Sequence, residues 1–576
     1  MKVIKKKISR IYSWLAQHSI FLLSVVGVTA LLWTIFPSGS EICVMSKCGY
    51  HFWGAHEHDA FWHFALVNYT FENQLRLPNF TGAVLSGYNY LLDLLLFTLQ
   101  KIGLPAPVVY FKIIPVIWSI LFLKLLLVVG RVLDKRRSYT FFLIFLSFFG
   151  SSFSFILLLW HKQTIFGASS IGSMQSILTL TNIQYALSLL CVLAMMKLML
   201  SSINTYKQAS MAAFLVFVAF GLKFYGGFAL SIMVGGFYLY KAFQDRKPKY
   251  IAFLFEAACL ALLSVLIFYR PSATASTGLP FSFSVFSLAK PMLEDKSLFY
   301  SQNITLARYS LEASGKIGLK LISIYLFSLV LFVFINFGTR ILGLVTIVQK
   351  IFTKKFNAFD AGTLSAAMAC FLMAMFFVQK GEWWNIIQFL FYTLFLLNFY
   401  TASVLSSLFE KRNLFSLATV GLILLLNIPY NADVMRFFMG PSTSYVSREE
   451  QAALTFLKQK TSPSAVIFVP VRERKLPNQQ KPTILAESVD SSYVTAFSGR
   501  QTYLNDLAQL RLIGVNFAER LDSTQKKPCA LFKVIDYYYD FKDYPLISPQ
   551  LTISCPKVRL KKVYTNSAVN IYRNIK

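Results

Sequence analysis

A series of long apolar runs, separated by short polar stretches, constrains this chain more than any other feature. Hydrophobic residues make up 56% of its 576 residues, which is more apolar surface than a soluble globular core buries. A helix of about 20 apolar residues matches the thickness of the hydrocarbon core of a bilayer. The chain is therefore predicted to be a polytopic α-helical membrane protein.

Basic residues set the predicted orientation of the spans. The chain has 56 Lys+Arg against 26 Asp+Glu, a balance that in a soluble protein would suggest nucleic acid. Here the basic residues lie mostly in short loops and in the tail, so membrane topology explains them and no nucleic-acid partner is expected. The basic N-terminus, MKVIKKKISR, precedes an apolar run without a cleavage pattern, which predicts an uncleaved first span with a cytoplasmic N-terminus. The loop clusters expected in the cytoplasm lie at 131–137, 241–249, 340–355 and 411–412.

Two segments need a second interpretation before the spans can be counted. Counting 84–103 as a span would place the basic cluster 131–137 outside, so this segment is predicted to lie in the outer interface. The run 209–241 has cytoplasmic signals at both ends, which predicts two short helices meeting outside near GLKFYGG, residues 221–227. About eleven spans result. They are predicted near 18–36, 107–130, 139–157, 181–202, 209–241 (two), 250–268, 317–338, 359–378, 383–407 and 414–429.

This map divides the chain into a membrane domain, residues 1–430, and an extracytoplasmic α+β domain, residues 431–576. The main outside loops of the membrane domain are 37–106 and 270–315, with a shorter one at 158–180. In the tail, Ser447 is predicted to cap a helix, SAVIFVPV reads as a strand, and the C-terminal residues read as a hairpin around Asn566 and Ser567. The protein is expected in the cytoplasmic membrane, with its tail outside the cytoplasm.

Cysteine positions agree with this orientation. Cys43 and Cys48 lie close together in an outside loop, and Cys529 and Cys555 both lie in the tail. Two disulfides facing an oxidising compartment fit this distribution, and free thiols are the alternative.

Titratable residues are concentrated in HFWGAHEHDAFWH, residues 51–63. Four of the six histidines of the chain lie there, next to Glu57 and Asp59. Asp59 and His63 are four residues apart, so they share one face of a helix that Asp59 begins. A carboxylate at this place is ionised at neutral pH and could accept a proton from an attacking hydroxyl. The alternative is that Asp59 only caps the helix and the histidines are amphipathic interfacial residues.

A divalent metal site is the third interpretation of the same motif. Imidazole and carboxylate ligands suit zinc or manganese, and His56, His58, Asp59 and His63 are the possible ligands. Their spacing is not a standard closed zinc pattern, so no cofactor is firmly predicted.

The first half of the chain resembles the GT-C superfamily of membrane glycosyltransferases. The resemblance rests on a basic-flanked first span, the acidic motif, the D-x-x-W-H helix, PNFTG, and the segment SGYNYLLDLLLFTLQKIG before the second span. It is similar in particular to bacterial and archaeal proteins with a D-x-x-F-H motif followed by YHY, with Trp62 in place of Phe and Asn89 in place of His. The resemblance implies that Asp59 is the catalytic base, with Glu57 as the substitute, and that the donor is a polyprenyl-phosphate sugar.

Further residues are predicted to bind substrate. Lys223, in the GLKFYGG turn, could meet the donor phosphate, and the alternative is a lysine that extends to the interface. Trp384 and Gln388, in EWWNIIQFLFY, could contact a sugar, and the alternative is an aromatic belt at the membrane surface. The other candidates are His58, Tyr88, Asn89 and Arg308. Asp93 is expected to pair with Lys112, which would be a structural role.

The leading hypothesis is an integral membrane enzyme that moves a sugar from a polyprenyl-phosphate donor to a glycan, lipid or protein acceptor outside the cytoplasm, as part of building the cell envelope. One alternative is a transporter or flippase of lipid-linked saccharides, for which related halves are expected but no repeat is present in the sequence. The other is a non-catalytic envelope assembly protein whose tail binds partners or glycan.

Overall fold

Long apolar helices dominate the computed structural model, which describes residues 2–167, 174–270, 281–315, 317–470, 481–526, 528–542 and 558–575. Within these ranges seven helices are long and apolar enough to cross a membrane, and a bent pair, Arg137–Phe149 with Ser154–Lys162, brings the number to eight. The seven are Ala106–Leu133, Ile183–Leu200, Lys249–Phe268, Leu319–Phe352, Ala358–Phe376, Trp383–Glu410 and Leu414–Met439. The protein is a multi-pass membrane protein, and the count of about eleven spans stays a prediction.

The remaining elements build the outside loops, the tail and the shorter membrane helices. The other α-helices of more than five residues are Lys2–Trp33, Asp59–Asn68, Leu91–Lys101, Tyr206–Leu222, Phe224–Asp245, Gln302–Ala313, Arg448–Lys460, Tyr493–Ser498, Leu507–Leu512 and Ala518–Lys526. The strands are Ser40–Val44, Lys47–Phe52, Phe281–Phe283, Phe377–Gln379, Ser444–Ser447, Val466–Phe468, Thr483–Ile484, Gln501–Thr502, Tyr537–Phe541, Arg559–Thr565 and Val569–Ile575.

The run 209–241 folds as the two helices that its loop charges predict. Tyr206–Leu222 begins at a capping box, in which Thr205 and Gln208 satisfy each other's backbone groups. It ends at Lys223, and Phe224–Asp245 starts directly after it. The 84–103 segment forms only the 11-residue helix Leu91–Lys101, which is too short to span a bilayer. The turn between the two helices contacts the 84–103 segment, because Asn89 donates to the carbonyl of Leu222 at 2.9 Å.

One basic residue lies elsewhere than predicted. Arg340 was expected in the cytoplasmic cluster 340–355, but it is 1% exposed and lies in a 3₁₀ segment, Gly338–Leu342, that interrupts the span Leu319–Phe352. Its guanidinium bonds to neutral acceptors inside the helix bundle. The break begins at Gly338 with φ of +55°, a left-handed conformation that glycine adopts without strain.

The tail and the first outside loop share a β-sheet. The hairpin Ser40–Val44 and Lys47–Phe52 continues into the tail strand Ser444–Ser447, which pairs antiparallel with Lys47–Phe52, and then into Thr483–Ile484. A second sheet has the order Arg559–Thr565, Val569–Ile575, Tyr537–Phe541, Val466–Phe468 and Gln501–Thr502. The predicted Ser447 cap is present, since its hydroxyl accepts the Glu450 N–H at 3.1 Å, and so is the C-terminal hairpin.

An apolar cluster fastens the tail to the loop. Trp62, Leu66 and Leu77 of the loop pack with Leu504 and Leu510 of the tail, and all five are nearly fully buried. Burying each of these side chains contributes on the order of 1.5–3 kcal/mol. The predicted boundary between residues 430 and 431 therefore does not separate two independent packing units.

A disulfide between Cys43 and Cys48 joins the two strands of the loop hairpin. Cys555, the predicted partner of Cys529, lies outside the described residues, as do residues 168–173 and 271–280 of the predicted outside loops.

Candidate active site

Asp59 stands at the exposed end of an otherwise buried helix. It is the first residue of Asp59–Asn68, whose residues from Ala60 to Val67 are all buried. Phe61 packs on Tyr493 and Phe497 of the tail, with ring centroids 6.1 and 5.7 Å apart. The Asp59 side chain is 44% exposed. The packed helix therefore fixes the backbone while the carboxylate stays accessible to a substrate.

His58 links Asp59 to the tail. Its Nδ1 lies 3.2 Å from Asp59 Oδ1 and its Nε2 lies 2.8 Å from Asp506 Oδ1. Burial lowers the pKa of His58, but the charges and hydrogen bonds of Asp506 and Asp59 outweigh burial and raise this pKa well above its ordinary value. Burial likewise opposes ionisation of Asp59, but His58 and Lys223 outweigh it and lower the pKa of Asp59. Asp59 is therefore a carboxylate at neutral pH.

Lys223 faces the same space from the apex of the helical hairpin. Its positive charge acts on Asp59, and its Nζ lies 5.9 Å from the centroid of the Tyr225 ring. Among the described residues its ammonium group has no hydrogen-bond or ion-pair partner. An unpaired lysine opposite an ionised carboxylate can bind an anion such as a phosphate, while the carboxylate accepts a proton.

Asn89 fixes the turn that carries Lys223. Its side-chain amide donates to the carbonyl of Leu222 at 2.9 Å, and its own carbonyl accepts from Gln184 at 3.0 Å. These bonds leave Asn89 8% exposed. Through these contacts Asn89 holds the turn that carries Lys223, and its predicted contact with substrate stays a prediction.

Tyr88 packs beside the helix that carries Asp59 and His63. Its ring packs edge-on against Trp62 at 5.5 Å and lies 6.5 Å from the His63 ring. Burial raises the pKa of Tyr88 well above its ordinary value, and the charges of Asp93 and Asp59 raise it further. The phenol is therefore neutral and can act only as a hydrogen-bonding group.

His63 is held by a carboxylate that was expected to pair elsewhere. Its Nδ1 lies 2.6 Å from Asp93 Oδ1, and the Asp93 side chain is fully buried. The predicted pairing of Asp93 with Lys112 is wrong, because the Lys112 ammonium donates to the carbonyl of Ser38 at 3.3 Å and to the Ser40 hydroxyl at 2.9 Å. His63 still acts electrostatically on Asp59, so it belongs to the surroundings of the site.

An amide network extends the site along the membrane helices. Asn385 donates to the Tyr225 hydroxyl at 3.0 Å and to Gln379 at 2.9 Å, and Gln388 donates to Asn385. Through Tyr225 this network lies beside Lys223, so Gln388 is near the predicted site. Trp384 is 53% exposed and donates to Glu382 at 2.9 Å. Its position fits either a sugar contact or the aromatic belt.

Three predicted residues are engaged elsewhere. Glu57, the substitute base, is 6% exposed and accepts a hydrogen bond from the Ser488 hydroxyl at 3.1 Å. Arg308 is 4% exposed, and its guanidinium pairs with Glu294 and Glu312. These carboxylates neutralise the positive charge with which Arg308 would bind a phosphate. His56 is fully buried, with Nδ1 2.8 Å from the Ser38 hydroxyl, and burial lowers its pKa to about 4.

The predicted metal site is not assembled. Among the described residues no group of three or more His, Cys, Asp or Glu side chains could hold a metal ion. Of the four proposed ligands, His56 bonds to Ser38 and His63 to Asp93, which leaves only His58 and Asp59 in contact with each other. The second nitrogen of His58 bonds to Asp506.

Sequence reasoning missed Asp506 and Asp490. Asp506 begins the helix Leu507–Leu512, with its carboxylate accepting the Gln509 N–H at 3.2 Å. Asp490 accepts the N–H groups of Asp506 and Leu507 at 2.9 and 2.8 Å. The D-x-x-Q spacing signals a helix start, but no local pattern indicates that this cap reaches a histidine 448 residues away.

Solved structures share this fold. The oligosaccharyltransferase of Archaeoglobus fulgidus, tethered to an acceptor peptide containing an NVT sequon, matches with a TM-score of 0.50 and 13% identity, over 98% of this chain and 75% of that one. Its apo form matches with a TM-score of 0.50 and 13% identity, over 92% and 70%. The mycobacterial arabinofuranosyltransferase AftD matches with a TM-score of 0.53 and 12% identity, over 97% of this chain but 40% of its own.

At 12–13% identity these matches show that this chain shares the fold of the two neighbours. Both proteins are GT-C superfamily glycosyltransferases, so the resemblance seen in the sequence is confirmed at the level of the fold. The sequence matches no protein-family model and no curated protein.

Proposed function

We propose that this protein is an integral membrane glycosyltransferase that moves a sugar from a polyprenyl-phosphate donor to a hydroxyl-bearing acceptor outside the cytoplasm. The observation that carries the proposal is an accessible, ionised Asp59 within electrostatic range of Lys223, whose ammonium group has no hydrogen-bond or ion-pair partner among the described residues. The GT-C fold supports the reaction class, since the fold neighbours are an oligosaccharyltransferase and an arabinofuranosyltransferase. Residues 37–106 and the tail lie outside the cytoplasm in this proposal.

The reaction is a single displacement at the anomeric carbon. Asp59 accepts the proton of the acceptor hydroxyl as its oxygen forms the new glycosidic bond. The bond between the anomeric carbon and the phosphate oxygen breaks, and the lipid phosphate leaves with the electron pair. Lys223 offsets the negative charge that the leaving phosphate gains, and its fixed place means that little reorganisation is needed during the reaction. In this proposal Gln388, Tyr88 and Trp384 contact the sugar.

Asp59→Asn tests the base. Asparagine keeps the size of the side chain, but it cannot take up the proton. In membranes supplied with a panel of radiolabelled polyprenyl-phosphate sugars, we expect transfer to fall about 10²–10⁴-fold. Asp295→Asn is the matched control, because Asp295 is exposed and caps a loop turn by accepting the Ser297 N–H. Unchanged transfer by the Asp59 variant would exclude Asp59 as the base.

The two rival functions give different results with the parent protein. A flippase would move labelled lipid-linked saccharide across the bilayer of proteoliposomes without forming a new glycosidic product. An assembly protein would show neither movement nor transfer with any donor. Formation of a glycosylated product that depends on Asp59 excludes both.

A further inference from the structure

A chain of ionisable groups from the tail ends on Asp59. Asp490 holds the backbone of Asp506, Asp506 accepts from His58, and His58 contacts Asp59. Asp506 is completely buried, and its second carboxylate oxygen accepts the Ser492 hydroxyl at 2.7 Å. Its backbone φ is +57°, a conformation that residues other than glycine seldom adopt. The Asp506 carboxylate is therefore fixed by several independent contacts before it meets the histidine.

Two carboxylates on one imidazole define the protonation state of that ring. A neutral imidazole has one N–H, so it donates to one carboxylate and turns a lone pair toward the other. An imidazolium donates from both nitrogens. With Nδ1 at 3.2 Å from Asp59 and Nε2 at 2.8 Å from Asp506, only the cation satisfies both contacts.

We propose that Asp506 is a positioning residue, which holds His58 as a cation so that His58 orients the carboxylate of Asp59 for the reaction. One oxygen of Asp59 is then occupied by His58 and the other is left for the acceptor hydroxyl. A tail residue thus helps to position the proposed base, whereas the other residues of the site belong to the first outside loop and the membrane helices. The proposal rests on the proposed role of Asp59 as the base.

The charged groups around this chain favour the same arrangement. Asp59 and Asp506 contact His58 directly, and Asp490 acts on it through its charge. Lys223 and His63 also lower the pKa of Asp59 through electrostatic interactions. Burial and the charge of Asp506 raise the pKa of Asp490 to about 6, whereas Asp506 contacts His58 directly, at 2.8 Å. Asp506 is therefore the main counter-charge of His58 within the tail.

Asp506→Asn removes the counter-charge and keeps the shape. Asparagine tolerates the left-handed backbone, is a good helix cap, and can still accept from Gln509 and from a His58 Nε2–H. His58 then loses its proton, and with it the positive charge, at a lower pH than in the parent protein. Above that pH its Nδ1 lone pair faces Asp59 and displaces the carboxylate, so we expect transfer to fall about 10- to 100-fold. Lowering the assay pH protonates His58 again and restores transfer.

The experiment has two independent measurements. The chain has six histidines, so ¹⁵N-histidine labelling of the full-length protein gives six imidazoles, and the His58 signal is the one lost in His58→Gln. Titration of this signal gives the pH at which His58 loses its positive charge, whether or not the protein transfers sugar. Transfer with a polyprenyl-phosphate sugar is measured across the same pH range. Asp540→Asn is the control, because Asp540 lies in a tail strand and bonds to Asn570 and Tyr538.

The expected result is a His58 midpoint that is lower in Asp506→Asn than in the parent and in Asp540→Asn, with transfer by Asp506→Asn recovering at low pH. A His58 that is neutral at pH 7 in the parent, or a midpoint that the substitution leaves unchanged, overturns the proposal. So does a loss of transfer in Asp506→Asn that no pH restores. Absence of transfer by the parent protein refutes the proposed function, and the titration still decides whether Asp506 holds His58 as a cation.

Discussion

Arg340→Lys is expected to destabilise the protein strongly, although it conserves the charge. The guanidinium of Arg340 donates from Nε to Asn398 at 3.0 Å and from Nη1 to Gln175 at 2.6 Å. Its Nη2 donates to the carbonyl of Gly150 at 2.5 Å and to the Ser176 hydroxyl at 2.9 Å. These four acceptors belong to three segments, near residues 150, 175 and 398, that meet at the helix break. The arginine therefore holds together a part of the membrane bundle where helical hydrogen bonds are interrupted.

The magnitude follows from the geometry of the two side chains. A lysine ammonium is a compact point charge, so it cannot span acceptors that surround a planar fork, and we expect it to reach two of the four at most. Each hydrogen bond to a charged group that is lost contributes about 1.5–3 kcal/mol. The charge stays buried, so its desolvation cost is not recovered. The expected loss is about 3–6 kcal/mol, which is a large part of a typical free energy of unfolding.

Reversible unfolding in mixed detergent micelles measures this loss, and Arg131→Lys is the control because Arg131 is exposed at a helix end. Arg340→Met separates the effect of the charge from that of the hydrogen bonds. It leaves the acceptors without donors, but it also removes the buried charge. We therefore expect Arg340→Met to lower the free energy of unfolding less than Arg340→Lys does. A free energy of unfolding for Arg340→Lys within about 1 kcal/mol of the parent would refute the four-acceptor arrangement.

Three further predictions concern the site and the tail. Lys223→Met is expected to lower transfer about 10²–10³-fold. Because the lysine charge lowers the pKa of Asp59, this pKa rises in the variant, and activity is lost on acidification at a higher pH than in the parent protein. Lys223→Arg keeps the charge and should keep the parent pH profile. Asn89→Ala removes the donor to the last carbonyl before Lys223 but keeps the backbone bond from Gln184, so transfer should fall about tenfold while the thermal midpoint changes little. Residues 443–576 expressed alone should show no cooperative melting by circular dichroism. The reason is that the first outside loop supplies two of the four strands of the sheet that contains Ser444–Ser447.

Local patterns in the sequence were sufficient where one element decides the outcome. Loop charges placed a turn between two short helices, and the structure has that turn at Lys223. A serine followed by two glutamates predicted the cap at Ser447, and alternating residues predicted the C-terminal hairpin. Asp59 begins its helix as the motif indicates. Each of these features depends on contacts within a few residues, which propensity and capping rules describe.

The sequence was insufficient where two distant segments share a contact. The Arg340 position looked like a cytoplasmic loop because basic residues follow it at short intervals, while the acceptors that bury it lie near 150, 175 and 398. Arg308 looked free for a phosphate because Glu294 and Glu312 are spaced like ordinary surface charges. Asp93 was expected to pair with Lys112, and only the fold shows that it contacts His63.

The shared sheet explains why the base cannot be understood from the membrane domain alone. Pairing of Lys47–Phe52 with Ser444–Ser447 brings the tail against the first loop, and the Trp62 cluster then fixes the helix that carries Asp59. The same docking places Asp506 against His58. A carboxylate at a membrane surface is ionised without such help, so the tail is not needed to remove its proton. In the proposed mechanism the tail adds orientation, since Asp506 holds His58 and His58 occupies one oxygen of Asp59, which leaves the other oxygen for the acceptor.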